Sequence, residues 1–202
     1  MACEADLPTL PQARCPHCAL PSHEHALCGH CLRHPPDFDH TEAVFAYGFP
    51  VTTLIQQLKY RGVLEISDFF AQALAEQLRT RPAVDLMIPM PSHHHRLKAR
   101  GFNQAVEITR QLARHRPGAW KYDTCIRLRD SPPQAGLELK ERQRNLRGIF
   151  SCPSRLDGLR IAMVDDVMTT GASLNELAKT LRQAGAAHIE AWVIARTLPH
   201  SG

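Results

Sequence analysis

The feature of this sequence best suited to chemistry is a pair of adjacent aspartates, Asp165 and Asp166. They lie between the apolar residues 161–164 and a short run of small and hydroxyl-bearing residues. An apolar strand that ends in carboxylates presents them at the edge of a parallel sheet, where they can bind the hydroxyl groups of a sugar. Backbone N–H groups of a small-residue loop at the start of a helix can bind a phosphate. The residues predicted to form that loop are Thr169, Thr170, Gly171, Ala172 and Ser173.

The same run excludes two other phosphate-binding motifs. No lysine follows Gly171, so the loop is not a Walker P-loop, and the glycine spacing of a dinucleotide-binding fingerprint is missing. Taken singly, either aspartate could merely end a strand or cap a helix. The full succession of apolar strand, acid pair, hydroxyl-rich turn and helix favours a sugar-phosphate site instead.

Near the start of the chain, four cysteines form two Cys-x-x-Cys pairs with nine residues between them. Each pair can place two thiolates on one ion, so the two pairs predict a closed tetrahedral site for structural zinc. The alternatives are a redox pair and disulfides. Persistent disulfides are disfavoured because no secretory signal is visible. A segment of about forty residues cannot bury enough surface unaided, so the inferred role of the zinc is folding. The predicted ligands are Cys15, Cys18, Cys28 and Cys31.

These groups must be positioned by regular structure, and strands that alternate with helices predict an α/β fold on a parallel sheet. Ser67 and Asp68 are the candidate N-caps of the second helix, and Gly185 ends the last one. Residues 1–40 show no hydrophobic periodicity and are predicted to form a separate zinc-binding module, while residues 41–202 form the main domain. The predicted strands are 43–47, 85–89, 121–128, 160–164 and 189–195. The predicted helices are 51–60, 67–80, 102–114 and 172–184. Residues 129–147 are predicted to form a long loop.

The composition is that of an ordinary folded protein with an uneven charge. Of 202 residues, 44% are hydrophobic and 22% are charged, which excludes wholesale disorder and a coiled coil. The net charge is +4, but residues 96–147 hold thirteen Lys and Arg against five Asp and Glu. That bias suggests a phosphate-bearing partner, although a solvated charged face is the default explanation of such a bias when no motif supports a partner. The longest aliphatic runs fall far short of the ~20 residues of a membrane span, so we expect a cytoplasmic protein without membrane insertion.

The run from Ile161 to Ser173 resembles the 5-phosphoribosyl-1-diphosphate (PRPP) binding motif of type I phosphoribosyltransferases. By that resemblance, the catalytic residues Asp165 and Asp166 hold the ribose hydroxyls, the loop 169–173 holds the 5′-phosphate, and Mg²⁺ accompanies PRPP. The purine-salvage branch tends to carry an aspartate at the first loop position, where this chain has Thr169. Purine salvage is therefore the less expected activity.

In such an enzyme, the predicted basic loop after the strand 85–89 is where the diphosphate binds. Arg96, Lys98 and Arg100 are the expected charge partners, and Gly101 permits a close backbone approach. The three consecutive histidines 93–95 are expected to splay apart on an exposed loop. The loop 129–147 is either a lid over PRPP or an interaction surface, and its spacing favours neither.

Over nearly its whole length, the sequence resembles the ComF family, also called ComFC or amidophosphoribosyltransferase-like competence proteins. The motifs that carry the resemblance are the double Cys-x-x-Cys, the PRPP motif, Leu58-Lys59-Tyr60-x-Gly62, Pro89-x-Pro91 followed by Arg100 to Gln104, Pro133-Gln134-x-Gly136-Leu137 and Glu141 to Phe150.

The resemblance implies a zinc module on a phosphoribosyltransferase-like domain, with PRPP as a ligand. It also implies a role in natural transformation, in the handling of incoming single-stranded DNA together with other competence proteins. Transferase activity is compatible with the motif but not required by it. The alternative is a nucleobase phosphoribosyltransferase of salvage or biosynthesis with no role in DNA uptake.

Overall fold

The computed structural model describes residues 6–116, 118–130 and 146–199. Five strands form one parallel sheet in the order β1-β7-β6-β2-β3, and β4 pairs with β5 in a separate antiparallel ribbon. The strands are β1 (His40–Ala46), β2 (Leu86–Pro89), β3 (Ala119–Trp120), β4 (Ile126–Arg127), β5 (Phe150–Ser151), β6 (Arg160–Met168) and β7 (His188–Arg196).

Helices connect the parallel strands. They are α1 (Gly29–Arg33), α2 (Val51–Gln56), α3 (Glu65–Gln77), α4 (His94–Arg100), α5 (Gln104–His115) and α6 (Ala172–Gln183). A π-helical turn, Gln57–Arg61, extends α2, and a short 3₁₀ turn spans His23–His25. No helix of the described ranges is both long and apolar enough to cross a membrane.

Strands β6 and β7 form the centre of the sheet, and both of their faces are covered. Alternate residues of β6 enter different cores: Ile161 and Met163 face α6, whereas Ala162 and Val164 face α2, α3 and α5. A strand buried on both sides reads as a continuous apolar run, which is why residues 161–164 contain no polar side chain. Asp165 and Asp166 continue the strand beyond that run.

The cysteine segment covers part of the same sheet face as α6. Cys15, Cys18 and Cys31 share one apolar core with Leu177 of α6 and Val193 of β7. A single helix is narrower than a five-stranded sheet, so this segment supplies apolar cover that α6 alone does not. The division of the chain into residues 1–40 and 41–202 stays a prediction, and β1 begins close to that boundary.

The parallel α/β class and the four-cysteine cluster are confirmed, but several element boundaries were wrong. Strand β6 runs through Met168 rather than ending near Val164, because its pairing with β7 continues to Met168 opposite Arg196. Of the strand predicted at 121–128, only Ile126–Arg127 is a strand, β4, and β3 ends before the predicted range at Trp120. Helix α3 begins at Glu65, and the hydroxyl of Ser67 donates to Leu64 O instead of capping the helix.

The segment that carries the three predicted diphosphate-binding cations was expected to be a loop and is the helix α4. Arg, Lys, Leu and Ala are all favourable helix formers, and Gly101 ends the helix with a φ of +82°. Helix α5 then begins after Asn103, whose side chain accepts from the Ala105 N–H at 2.9 Å. Of the predicted lid 129–147, residues 131–145 lie outside the described ranges.

Candidate functional site: an acid pair and an anion loop at the edge of the sheet

A glycine-dependent turn joins β6 to α6 and forms the predicted phosphate loop. Gly171 precedes the helix with a φ of +80°, and a Cβ there would lie 2.6 Å from Met168 Cε. The Thr170 hydroxyl accepts from the Ala172 N–H at 3.3 Å. Residues 167–174 line a pocket of about 70 Å³ together with Asp165 and Leu146. The turn therefore brings the five predicted loop residues and one predicted catalytic carboxylate to the same small cavity.

The two aspartates have different surroundings because neighbouring residues of a strand point to opposite faces. Asp165 faces the pocket on the α6 side and is half-buried. Asp166 is buried, and its carboxylate forms an ion pair with the Lys59 ammonium group. The Asp166 N–H also donates to Asp165 Oδ1 at 2.9 Å, which fixes the orientation of the first carboxylate.

Lys59 belongs to a sequence motif, but its role at the site could not be predicted from the sequence. It lies on the π-helical turn, which ends at Gly62 with a φ of +65°. Helical turns of this kind occur often at functional sites because the extra residue changes the direction of a side chain. The signal in the sequence was the Leu58-Lys59-Tyr60-x-Gly62 motif, but only the folded chain shows that the lysine meets Asp166.

The pKa values follow from this arrangement. Burial, then the charge of Asp166 and its hydrogen bond, raise the pKa of Asp165 well above its usual value. Burial lowers the pKa of Lys59, but the charge of Asp166 and the hydrogen bond to it outweigh this effect, so the pKa of Lys59 is raised. The ligand-free site therefore holds a salt bridge beside a carboxyl group that ionises reluctantly.

The predicted diphosphate segment comes close to this pair through Arg100. The Arg100 guanidinium lies 5.0 Å from the centre of the Tyr60 ring, next to Lys59, and its Nη1 donates to Gln104 Oε1 at 3.1 Å. Arg96 forms an ion pair with Asp130 at 3.2 Å. Lys98 is exposed on the same helix. The structure thus assembles Lys59 and Arg100 near the acid pair, while Arg96 already has a carboxylate partner.

The three consecutive histidines do not splay apart, contrary to the sequence expectation. Their ring centres lie 4.1 to 4.9 Å from one another, and His93 is buried. Partial desolvation and the positive charges of His93, His95 and Lys98 lower the pKa of His94. The lowered pKa favours the neutral imidazole of His94, and the three rings offer nitrogen atoms within 4.8 Å of one another.

The four predicted zinc ligands meet in one cluster. All four Sγ atoms lie within 4.8 Å of one another, and Cys18 Sγ is 3.7 Å from Cys28 Sγ. Sulfurs on one tetrahedral zinc ion, with zinc–sulfur bonds of about 2.3 Å, are about 3.8 Å apart. None of the four cysteines forms a disulfide, and three are buried. The donor set and its spacing therefore fit zinc.

The thiols of this cluster resist ionising together. Burial raises the pKa of Cys18 to about 11, while hydrogen bonds from the rest of the cluster outweigh the desolvation of Cys28 and lower its pKa to about 7. Mutual repulsion opposes a set of four neighbouring thiolates, and a bound dication reverses that repulsion. The cluster is accordingly a set of ligands that could hold a metal ion.

The class of protein follows from the order of the sheet. A parallel sheet whose central strand carries an acid pair into a glycine turn, with a four-cysteine cluster on one face, defines an α/β protein. Among curated proteins, the chain is 35% identical over 191 residues to DNA utilization protein YhgH of Salmonella typhi, covering 91% of this chain and 84% of that protein. It is 32% identical over 204 residues to Competence protein F of Haemophilus influenzae, covering 96% and 88% of the two chains. The chain belongs to the ComF family of competence proteins.

Other comparisons are more distant. No family model matches the chain. A glutamine PRPP amidotransferase from B. subtilis shares 16% identity at a TM-score of 0.43, over 63% of this chain and 25% of that structure. A purine phosphoribosyltransferase from Pyrococcus horikoshii shares 18% identity at a TM-score of 0.41, over 67% of this chain and 89% of that one. The chain thus spans about a quarter of the amidotransferase's length.

The cysteine cluster generates the first prediction. We expect one zinc per chain by elemental analysis, lost in Cys18→Ser and retained in Cys152→Ser, whose thiol lies outside the cluster. Because the cysteines belong to the core of the sheet, complete chelation should lower Tm by about 10 °C or more. An unchanged Tm in protein shown to be zinc-free would contradict a folding role.

The raised pKa of Asp165 generates the second prediction. Its contribution to stability is full below the unfolded-state pKa of about 3.9 and is lost as the pH rises through the folded-state value. Asp165→Asn should therefore make the ligand-free protein more stable than wild type at pH 8, with a gap that narrows towards pH 4. Urea unfolding at several pH values measures this, with Asp123→Asn, an exposed site, as the control. A destabilised Asp165→Asn protein at pH 8 would contradict the prediction.

Proposed function

We propose that this ComF-family protein binds PRPP with Mg²⁺ at the junction of β6 and α6 and serves in the handling of single-stranded DNA. The observation that carries the PRPP proposal is the direct succession of the acid pair and the anion loop in one strand-turn-helix unit. Asp165 and the loop share a pocket, and Lys59 and Arg100 supply positive charge beside it.

Each part of PRPP has a chemically suitable partner. The 5′-phosphate is bound by the backbone N–H groups and hydroxyls of residues 169–173, where the start of α6 adds a partial positive charge. The ribose hydroxyls are bound by Asp165 and Asp166. Cationic side chains and a glycine backbone are assigned to the diphosphate, namely Arg96, Lys98, Arg100 and Gly101.

The carboxylate oxygens of the acid pair also suit Mg²⁺, which prefers oxygen ligands and keeps several waters. When bound, the ion would neutralise charge on the diphosphate. Lys59 must share Asp166 with the incoming ligand, so it tunes how readily that carboxylate becomes available. Transferase activity would in addition require an acceptor that attacks C1 of the ribose and releases diphosphate.

The third prediction tests PRPP binding by calorimetric titration. PRPP with Mg²⁺ should bind wild type saturably, and Asp165→Asn combined with Asp166→Asn should weaken binding at least tenfold, because the ribose hydroxyls lose both carboxylates. Asp123→Asn, an exposed aspartate outside the site, serves as the matched control and should bind like wild type.

The outcome of that titration decides the next step. Binding lost only in the double variant would justify a screen of nucleobase acceptors for diphosphate release, which would test transferase activity directly. Absence of binding to a folded, zinc-loaded wild type would contradict the PRPP proposal, and DNA would become the ligand to pursue.

The DNA role rests on family membership and on the surface beside the site. The names of the relatives refer to DNA utilization and competence, and we carry that role to this chain as part of the proposal. Tyr60 is 71% exposed with Arg100 against its ring. Arg61, next to Tyr60, and Lys98, two residues before Arg100, are also exposed. An exposed aromatic ring among cations suits the bases and phosphates of a single strand.

The fourth prediction concerns this surface. Labelled oligo-dT should bind with an affinity that falls steeply with salt, by about 0.7 in the logarithmic slope for each phosphate contacted. Tyr60→Ala should weaken binding at every salt concentration without changing the slope, whereas Lys98→Gln should make the slope shallower. Fluorescence anisotropy measures both effects, and no binding at low salt would contradict a direct role in holding DNA.

A further inference from the structure

A single buried arginine joins the cysteine cluster to the anion loop. Arg196 is the last residue of β7, and its side chain is almost wholly removed from solvent, at 3% exposure. Its Nε donates to Cys18 O at 2.7 Å. Its Nη1 donates to Met168 O at 3.0 Å and also to Thr169 O. One rigid guanidinium therefore touches the backbone of a predicted metal ligand and the backbone that leads into the loop.

These hydrogen bonds decide which way the loop's N–H groups point. A peptide unit is planar and trans, so its carbonyl oxygen and the N–H of the following residue point in opposite directions. When Arg196 holds the carbonyl of Thr169, the N–H of Thr170 must point away from the arginine. The same holds for Met168 and the N–H of Thr169. An arginine bonded to these two carbonyls thus orients N–H donors without itself reaching the ligand.

The other end of the guanidinium depends on the cysteine cluster. Cys18 belongs to the first Cys-x-x-Cys turn. Binding of its sulfur to a metal ion would therefore also restrict the position of its backbone carbonyl, which accepts from Arg196. Four thiolates on one dication carry a net charge of −2, which favours a nearby guanidinium. A rigid planar fork suits such a task better than a lysine does, because it holds several acceptors in a fixed relative geometry.

We propose that Arg196 is a positioning residue that couples metal occupancy of the cysteine cluster to the anion-binding geometry of residues 169–173. With the metal bound, the Cys18 carbonyl is fixed and Arg196 holds the loop ready for a phosphate. Without it, the arginine loses a fixed acceptor and the loop relaxes. The identity of the ligand, PRPP, rests on the function proposed above, but the coupling itself does not.

The coupling is tested first without any ligand. Hydrogen exchange of residues 169–173 is measured by mass spectrometry in zinc-loaded and zinc-free wild type and in zinc-loaded Arg196→Met. Removal of zinc from wild type should make the loop exchange faster, and equal exchange with and without zinc would overturn the coupling. We expect exchange at least tenfold faster in Arg196→Met, while amides of β6 and β7 stay protected and zinc stays at one per chain. Arg116→Met is the matched control, because Arg116, directly after α5, also donates to three backbone carbonyls, which belong to residues 78–82, away from the loop. Wild-type protection of the loop in a zinc-loaded Arg196→Met protein would overturn the proposal.

A second measurement uses wild type alone, so its result does not depend on whether the variants fold. Coupling between two sites is reciprocal, so a phosphate ligand must raise the affinity for zinc by the factor by which zinc raises the affinity for the ligand. Competition with a chromophoric chelator should show zinc held at least fivefold more tightly with saturating PRPP and Mg²⁺. Equal zinc affinity with and without bound PRPP would overturn the coupling. If PRPP does not bind at all, the proposed function fails, and the exchange experiment alone decides the coupling.

Discussion

The parallel pairing of β6 with β7 is the constraint on which the candidate site depends. It continues to the last residue of both strands, with Met168 opposite Arg196, and the Thr197 N–H extends it to Met168 O at 3.0 Å. Because both strands end at one edge of the sheet, the acid pair, the glycine turn and the buried arginine arrive at the same place. The flanking helices, the cysteine segment and the π-helical turn all pack against these two strands, so the strands determine where those elements lie.

Two carboxylates at the site and beside it are held in ion pairs, whereas a third faces the pocket. Asp166 is engaged by Lys59, and Asp130 is engaged by Arg96. Asp165 faces the pocket with a raised pKa, which burial and the neighbouring carboxylate cause. Two adjacent carboxylates repel each other when both are ionised, and burial strengthens this repulsion. A ligand that brings hydroxyl donors or a cation would reduce the repulsion. A ligand of that kind would gain affinity because its binding removes the unfavourable interaction between the two carboxyl groups.

The groups whose chemistry is local in sequence could be predicted, and those that depend on distant contacts could not. The acid pair, the loop and the cysteine cluster were found because a run of thirteen residues and two close pairs define them. The partner of Lys59 could not be found, because the pair joins two segments far apart in the chain. Helix α4 was taken for a loop because its cations suggested a ligand, although the same residues favour a helix. Arg196 was not predicted as a site residue because it ends an apolar strand, and an arginine at a strand end is usually exposed to solvent.

The cysteine segment covers a sheet face that in other α/β proteins is covered by helices, and this has a consequence for the life of the protein in a cell. A chain synthesised without zinc would expose the residues packed beneath Cys15, Cys18 and Cys31, among them Val193 and Leu177. An apolar face of that kind invites self-association and capture by chaperones and proteases. If the cluster holds zinc as predicted, the abundance of the folded protein follows the zinc supply of the cell.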